Sequence, residues 1–282
     1  MGTTIAFLGC GAMNEAILAG LLDSGVPADQ VVATVRTVER AARLADRYGV
    51  RVAATADDAA AGSAPTSNAR AAAEAAVVVL GVKPAQVPAL AAEIAAGLAP
   101  DTVVVSVAGA VPLASIERVL RPGQPVVRAM PNTPTRVGHG VTALAPGAHA
   151  SAEHLRRAHA LFDTVGLVVE VAEDRLDAVG AVSGSGPAYV FYLTEALAEA
   201  GARLGLPAEL ARLLAARTVA GAGRMLDGDS ADPADLRRAV TSPHGSTERA
   251  IATFEQRDLR AIVAAGAAAA AARSREIARE LE

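Results

Sequence analysis

The chain of 282 residues has no tryptophan, three tyrosines, four phenylalanines and one cysteine, Cys10. A lone cysteine excludes an intrachain disulfide and suits a reducing compartment. Aromatics at 2% leave little to stack on bases, and a net charge of −4 is not the basic footprint of a nucleic-acid binder. Long apolar runs are missing as well. The most apolar stretches, 102–116 and 261–272, fall short of the roughly 18 residues that span a bilayer. The chain does not open with a charged segment and an apolar core, so the expectation is a cytoplasmic protein with no membrane partner. Lysine is almost absent: Lys83 stands alone among 26 basic residues, the rest arginine, a skew we attribute to genomic base composition. The five histidines are scattered and His154 and His159 share no helix face well, so no metal site is expected.

What is present is a clear alternation. Residues 3–8, 30–35, 76–82, 102–107 and 125–130 are nearly continuous Val, Ile, Leu and Ala, as in strands buried on both faces of a parallel sheet. Between them, 13–22, 37–48, 85–98 and 112–120 carry helical patterns, giving a doubly wound α/β fold. Residues 141–144 and 167–171 add late strands around a helix at 152–162, and 56–67 reads as a surface loop. After about residue 173 the strand signal ends. Helices are expected at 187–204, 207–226, 233–240, 248–254 and 259–281, several opened by proline. Their apolar residues exceed what one buried face needs, which predicts an all-α second domain with a homodimer interface. The domains are thus 1–173, Rossmann-like and cofactor-binding, and 174–282, helical, for substrate binding and dimerisation.

Directly after the first strand stands Gly9-Cys10-Gly11-Ala12-Met13-Asn14. Gly9 permits the tight turn, and Gly11, Ala12 and Met13 open a helix whose N-terminus suits a pyrophosphate. Asn14 occupies the third glycine position, so the fingerprint is incomplete, and a turn binding nothing remains the competing reading. The second strand ends in Arg36-Thr37, an arginine and a hydroxyl that suit a 2′-phosphate, which favours NADPH, with NADH the alternative. Glu39, the rival that would select NADH, lies inside the next helix. The fourth strand runs into Val82-Lys83-Pro84, where an open α/β sheet binds ligands. Asn132 and Thr133, framed by Pro131 and Pro134, either sit near a nicotinamide or form a merely structural turn.

In the helical half, Thr241-Ser242-Pro243-His244-Gly245-Ser246-Thr247 crowds hydroxyls into a turn just before a helix. Backbone N–H groups at such an end suit a carboxylate or phosphate. An ordinary helix capped by Ser246 or Thr247 would give the same pattern.

These segments, in this order, resemble the pyrroline-5-carboxylate reductase family over essentially the whole chain. The Gly9–Ala16 turn is common to many reductases. Gly81-Val82-Lys83-Pro84, Met130–Pro134, Ser183-Gly184-Ser185-Gly186-Pro187-Ala188-Tyr189 and Thr241–Thr247 complete the match, the last two being the most particular. The resemblance implies NADPH-dependent reduction of 1-pyrroline-5-carboxylate to L-proline by a homodimer or larger ring. It implies that Asn68 holds the adenosine portion, that Ser242, Gly245, Ser246 and Thr247 take the substrate, and that Thr247 is catalytic. His244 departs from a typical glycine, Asn14 from a small residue, and Ala76 from a frequent Asp. A related imine or hydroxy-acid reductase and a non-catalytic NADP-binding sensor are the alternatives. The hydroxy-acid version would want a lysine in the helical domain, and Lys83 is elsewhere.

Overall fold

The computed structural model describes residues 4–60, 65–228 and 231–281. By compactness the chain divides into one unit of Met1–Gly184 with Ala270–Glu282 and another of Ser185–Ala269. The sequence pattern divides it elsewhere, at 173/174. The difference arises because the turn around Leu176 and the end of the last helix pack with the sheet. Leu176 is buried against β-strand residues Ala143 and Ala145, and Ser274 Oγ donates to Asp177 at 2.6 Å.

In the first unit an eight-stranded sheet comprises β1 (Ile5–Leu8), β2 (Val31–Val35), β3 (Arg51–Ala54), β4 (Val77–Leu80), β5 (Val103–Ser106), β6 (Val126–Pro131), β7 (Gly140–Pro146) and β8 (Gly166–Glu170), in the order β3-β2-β1-β4-β5-β6-β7-β8. All pairings are parallel except β6 with β7. The helices are α1 (Ala12–Asp23), α2 (Val38–Tyr48), α3 (Ser67–Ala73), α4 (Val87–Ile94), α5 (Leu113–Glu117), α6 (Ala152–Asp163) and α7 (Leu176–Val179). Strand residues alternate faces, and the core follows. Phe7, Ala33 and Val79 pack under Ile17, Leu18, Leu44 and Phe162 of α1, α2 and α6, while Ala6, Leu8 and Val78 pack under Ala72, Leu90, Ile94 and Ile116 of α3, α4 and α5. The doubly wound expectation therefore holds. The strand order reverses between β1 and β4, which opens the ligand crevice of an α/β sheet above their C-terminal ends.

The one-turn helix α7, β3 and α3 escaped the sequence pattern. β3 is a short edge strand, Arg-Val-Ala-Ala, with an exposed first residue, and α3 is an Ala-rich helix without apolar periodicity. β3 and α3 flank what was expected to be one loop at 56–67. The helix expected at 85–98 starts at Val87, because Pro84–Gln86 forms a 3-10 turn first. The turn expected at 183–187 is preceded by a π-helical segment, Gly180–Gly184.

The second unit contains α8 (Gly186–Arg203), α9 (Ala208–Arg224), α10 (Pro233–Ala239), α11 (Ser246–Gln256) and the first half of α12 (Leu259–Glu280). α8 and α9 pack antiparallel through small residues. A Cβ on Gly201 would stand 3.1 Å from that of Ala211, which is buried with Ala215. The outer faces are left apolar and open: Phe191 is 64% exposed, Tyr192 74% and Ile262 61%.

Candidate functional site

The two helices nominated from sequence for anions share a local design. α2, α3, α6 and α10 are each capped by a side-chain oxygen, from Thr37, Thr66, Ser151 and Asp232. α1 and α11 instead begin on glycines, Gly11 and Gly245, which offer no side chain to cap them. Their first N–H groups are left for a ligand or solvent.

At α1, Gly9 sits at φ +75°, and a Cβ there would strike the Val82 side chain, so glycine is required twice over. Cys10 N–H donates to Thr34 O at 2.8 Å and the Cys10 side chain turns into the core. Burial, helped by the Glu15 charge and opposed by Arg40, pushes its thiol up to about 12, so it stays neutral. Asn14 is buried with its amide against Gly81, where any Cβ would collide with it. Its Nδ2 reaches Gly9 O at a long 3.4 Å, and its Oδ1 has no partner among the described residues. Asn14 is therefore accommodated by the missing side chain of Gly81.

Beside this turn lies a cleft of about 450 Å³ whose lining includes Gly9, Thr34, Arg36, Asn68, Val82 and Glu93. Four of the predicted cofactor residues, Gly9, Arg36, Asn68 and Val82, thus come together. Gly11, Ala12 and Met13 form the α1 N-terminus and do not line the cleft, nor do Thr37, Lys83 and Pro84. Thr37 Oγ1 is occupied in accepting the Arg40 N–H at 3.3 Å as the α2 cap. Lys83 is exposed, just ahead of the Pro84–Gln86 turn. Arg36 is exposed and makes no ion pair among the described residues, which leaves its charge available at the end of β2. Glu39 is exposed and does not line the cleft; hydrogen bonding from its own amide and from the Thr37 hydroxyl holds its carboxyl below the usual range. Thr34 and Glu93 were missed from sequence. Thr34 had a signal, being the one hydroxyl in the buried aliphatic strand Val-Val-Ala-Thr-Val.

A second cleft, of about 550 Å³, flanks the other side of α1. Its charges answer one another. Burial would raise Glu15, but the hydrogen bond and charge of Arg40, with Tyr48 Oη at 3.1 Å, hold its carboxyl below the usual range. Arg47 lies over the Tyr48 ring at 5.0 Å. This network ties α1 to α2.

Asn132 proves to be a structural clamp. It is buried, its Nδ2 donates to Ser183 O and Oγ at 3.2 and 3.1 Å, and its Oδ1 accepts the Val141 N–H at 2.9 Å. Nearby, Arg128 on β6 is buried and donates to Glu173 at 3.0 Å, and Glu173 also accepts the Leu113 N–H at 2.7 Å.

In the second unit, Gly245 N–H donates to Ser242 O at 3.0 Å, closing a turn with Pro243 and His244 at its centre. His244 stands at φ +60°, in the left-handed region that the third position of a type II turn occupies. Its N–H donates to Glu248 Oε2 at 2.9 Å. The cap is Gly245, neither Ser246 nor Thr247, and the hydroxyls of Ser242, Ser246 and Thr247 make no hydrogen bond among the described residues. Thr247 is exposed in the first turn of α11. Three successive N–H groups, of Ser246, Thr247 and Glu248, precede the first intrahelical donor, Arg249, whose N–H reaches Gly245 O. No group of His, Cys, Asp and Glu among the described residues could hold a metal.

Residues 173–277 match the family model described as pyrroline-5-carboxylate reductase dimerisation, and residues 4–110 match that described as NADP oxidoreductase coenzyme F420-dependent. The chain is 40% identical over 278 residues to a pyrroline-5-carboxylate reductase of Pseudomonas aeruginosa, covering 98% of this chain and 97% of that one. It is 41% identical to that of Corynebacterium melassecola, covering 98% of each. The solved structure of a pyrroline-5-carboxylate reductase from Coxiella burnetii superposes with a TM-score of 0.88 at 35% identity, covering 98% of both chains.

Proposed function

The chain belongs to the pyrroline-5-carboxylate reductase family, and we propose that it divides the family reaction between the cleft beside α1 and the loop at α11. The reaction is NADPH-dependent reduction of 1-pyrroline-5-carboxylate to L-proline. The residues present suit the cofactor: a glycine-led α1 N-terminus without a side-chain cap, a turn with no room for a Cβ at Gly9, and Arg36 with no ion pair among the described residues. Gly11, Ala12 and Met13 would hold the pyrophosphate, Arg36 and Thr37 the 2′-phosphate, Asn68 the adenosine, and Val82, Lys83 and Pro84 the stretch beyond. The chemistry supplied by NADPH when bound is the hydride that reduces the C=N carbon.

The observation that carries the substrate assignment is the N-terminus of α11, which has no side-chain cap, with a Thr247 hydroxyl that makes no hydrogen bond among the described residues. Its N–H groups, with Ser242, Gly245 and Ser246 around them, would fix the carboxylate of the cyclic imine. The Thr247 hydroxyl would hold the proton at the ring nitrogen. It serves as a hydrogen-bonding group and not as an acid in the strict sense, since an alcohol has no suitable pKa near neutrality. A protonated imine is already a good hydride acceptor, so orientation and charge balance are the main tasks.

The chain carries a dimerisation domain. The exposed Phe191, Tyr192 and Ile262 support a homodimer through the C-terminal helices, because apolar faces of this extent call for a partner. Residues 1–173 would then serve the cofactor and 174–282 the substrate and the dimer. The test is addition of 1-pyrroline-5-carboxylate to the purified protein with NADPH. Oxidation of NADPH with equimolar L-proline supports the assignment, and a flat trace with bound NADPH overturns it.

A further inference from the structure

The geometry points to Thr34 as a positioning residue for the cofactor, the middle of a one-way hydrogen-bond relay; this rests on the cofactor reading of the cleft proposed above. Gly9 N–H donates to Thr34 Oγ1 at 3.2 Å, Thr34 O–H donates to Asn68 Oδ1 at 2.6 Å, and Asn68 Nδ2 donates to the Glu93 carboxylate at 3.2 and 3.4 Å. One end of this chain is a backbone N–H, which can only donate. The other end is the Glu93 carboxylate, whose two oxygens both accept from Asn68 Nδ2. The direction of every bond between them is therefore fixed, and with it the sense of the Asn68 amide. Asn68 keeps one N–H and one lone pair in reserve, and it lines the cleft. Although Thr34 stands in the cleft wall, it has no exposed surface, and its hydroxyl is spent on Gly9 and Asn68, through which it acts on a ligand. A hydroxyl between two aliphatic neighbours of a core strand would otherwise cost stability, since a buried polar group must find partners. Here both partners belong to the cofactor cleft.

The test compares Thr34→Val, Thr34→Ser, Asn68→Ala and the Thr34→Val/Asn68→Ala double variant of the whole enzyme. NADPH Kd, KM for NADPH and kcat at saturating NADPH are measured, with thermal melts as the folding control. Thr34→Val is expected to raise Kd and KM about tenfold, the scale of one lost buried hydrogen bond, with kcat within about twofold. Thr34→Ser, which keeps the hydroxyl, is expected to stay within about threefold of the parent. In the Asn68→Ala background the Thr34→Val change should add less than about threefold, because the two residues act as one unit. A folded Thr34→Val protein with unchanged NADPH affinity, or effects that multiply independently, overturns the relay. Should Thr34→Val fail to fold, Glu93→Gln replaces it. That exposed change removes the carboxylate end and should raise KM several-fold, and no change overturns the relay. Unchanged Kd in Asn68→Ala itself overturns the cofactor reading of the cleft, and the relay with it.

Discussion

The backbone N–H of His244, at φ +60°, donates to the Glu248 carboxylate at 2.9 Å across the start of α11. That bond steadies a turn in which a side chain sits where glycine is at ease. A non-glycine residue in this region costs on the order of 1 kcal/mol, with histidine among the better tolerated. His244→Gly should therefore raise stability by about 1 kcal/mol, a rise of about 2–4 °C in Tm for a chain of this size. Calorimetry checks it, and an unchanged or lower Tm would mean that the turn is not strained.

Thr247 has a hydroxyl with no partner among the described residues, in the first turn of a helix with no side-chain cap. Thr247→Ala is expected to lower kcat by roughly one to two orders of magnitude while leaving NADPH Kd within about twofold. Steady-state kinetics beside a direct binding titration separate the two effects. Unchanged turnover would remove Thr247 from the mechanism.

Cys10 predicts an alkaline limb of stability. Its thiol is raised from an ordinary 9.0 to about 12, chiefly by burial. Above the ordinary value the unfolded chain releases a proton that the folded chain keeps, so the unfolded state is favoured as pH rises. The contribution is complete below about pH 9 and declines toward pH 12, by at most about 1.4 kcal/mol per pH unit. Denaturant unfolding between pH 8 and 11 should show a fall that Cys10→Ala flattens, and alkylation of Cys10 should be slow until the chain unfolds.

Glu173 is the sole carboxylate among the described residues on the buried Arg128 guanidinium, and its side chain is 34% exposed. Removing it strands a buried charge, a loss of about 3 kcal/mol or more in a dry site and about 2 kcal/mol here, where water can reach the gap. Urea unfolding of Glu173→Ala measures this, and a cost below about 0.5 kcal/mol would show that Arg128 finds another partner.

Much of this was legible before any coordinates. The doubly wound sheet followed from strands such as Val-Val-Val-Leu at β4, which are apolar at every position because both faces are covered. Gly9, Arg36 and Val82, which line one cleft, could be nominated because strand ends and glycine turns are local features, whereas Asn68 was named only through the family resemblance. β3 and α3 were invisible for a physical reason: an edge strand and a short Ala-rich helix need little apolar periodicity, and tertiary packing decides them. Asn132 could not be assigned because a buried amide serves as clamp or ligand depending on Ser183, fifty-one positions away. The role of Thr34 depended likewise on Asn68, brought to it by the topology of the sheet. His244 was legible as a question, and the structure answers half of it. His244 does take positive φ, and Ser246, Thr247 and Glu248 still begin α11 with N–H groups that have no partner among the described residues.

The most direct test of the account is amide-resolved NMR of the intact enzyme with NADP⁺, titrated with L-proline. NADP⁺ alone should move the amides of Gly9, Gly11 and Ala12. Added proline should then shift and protect those of Ser246, Thr247 and Glu248. Proline binding that leaves these three amides unmoved would contradict the assignment of the α11 N-terminus as the seat of the substrate carboxylate.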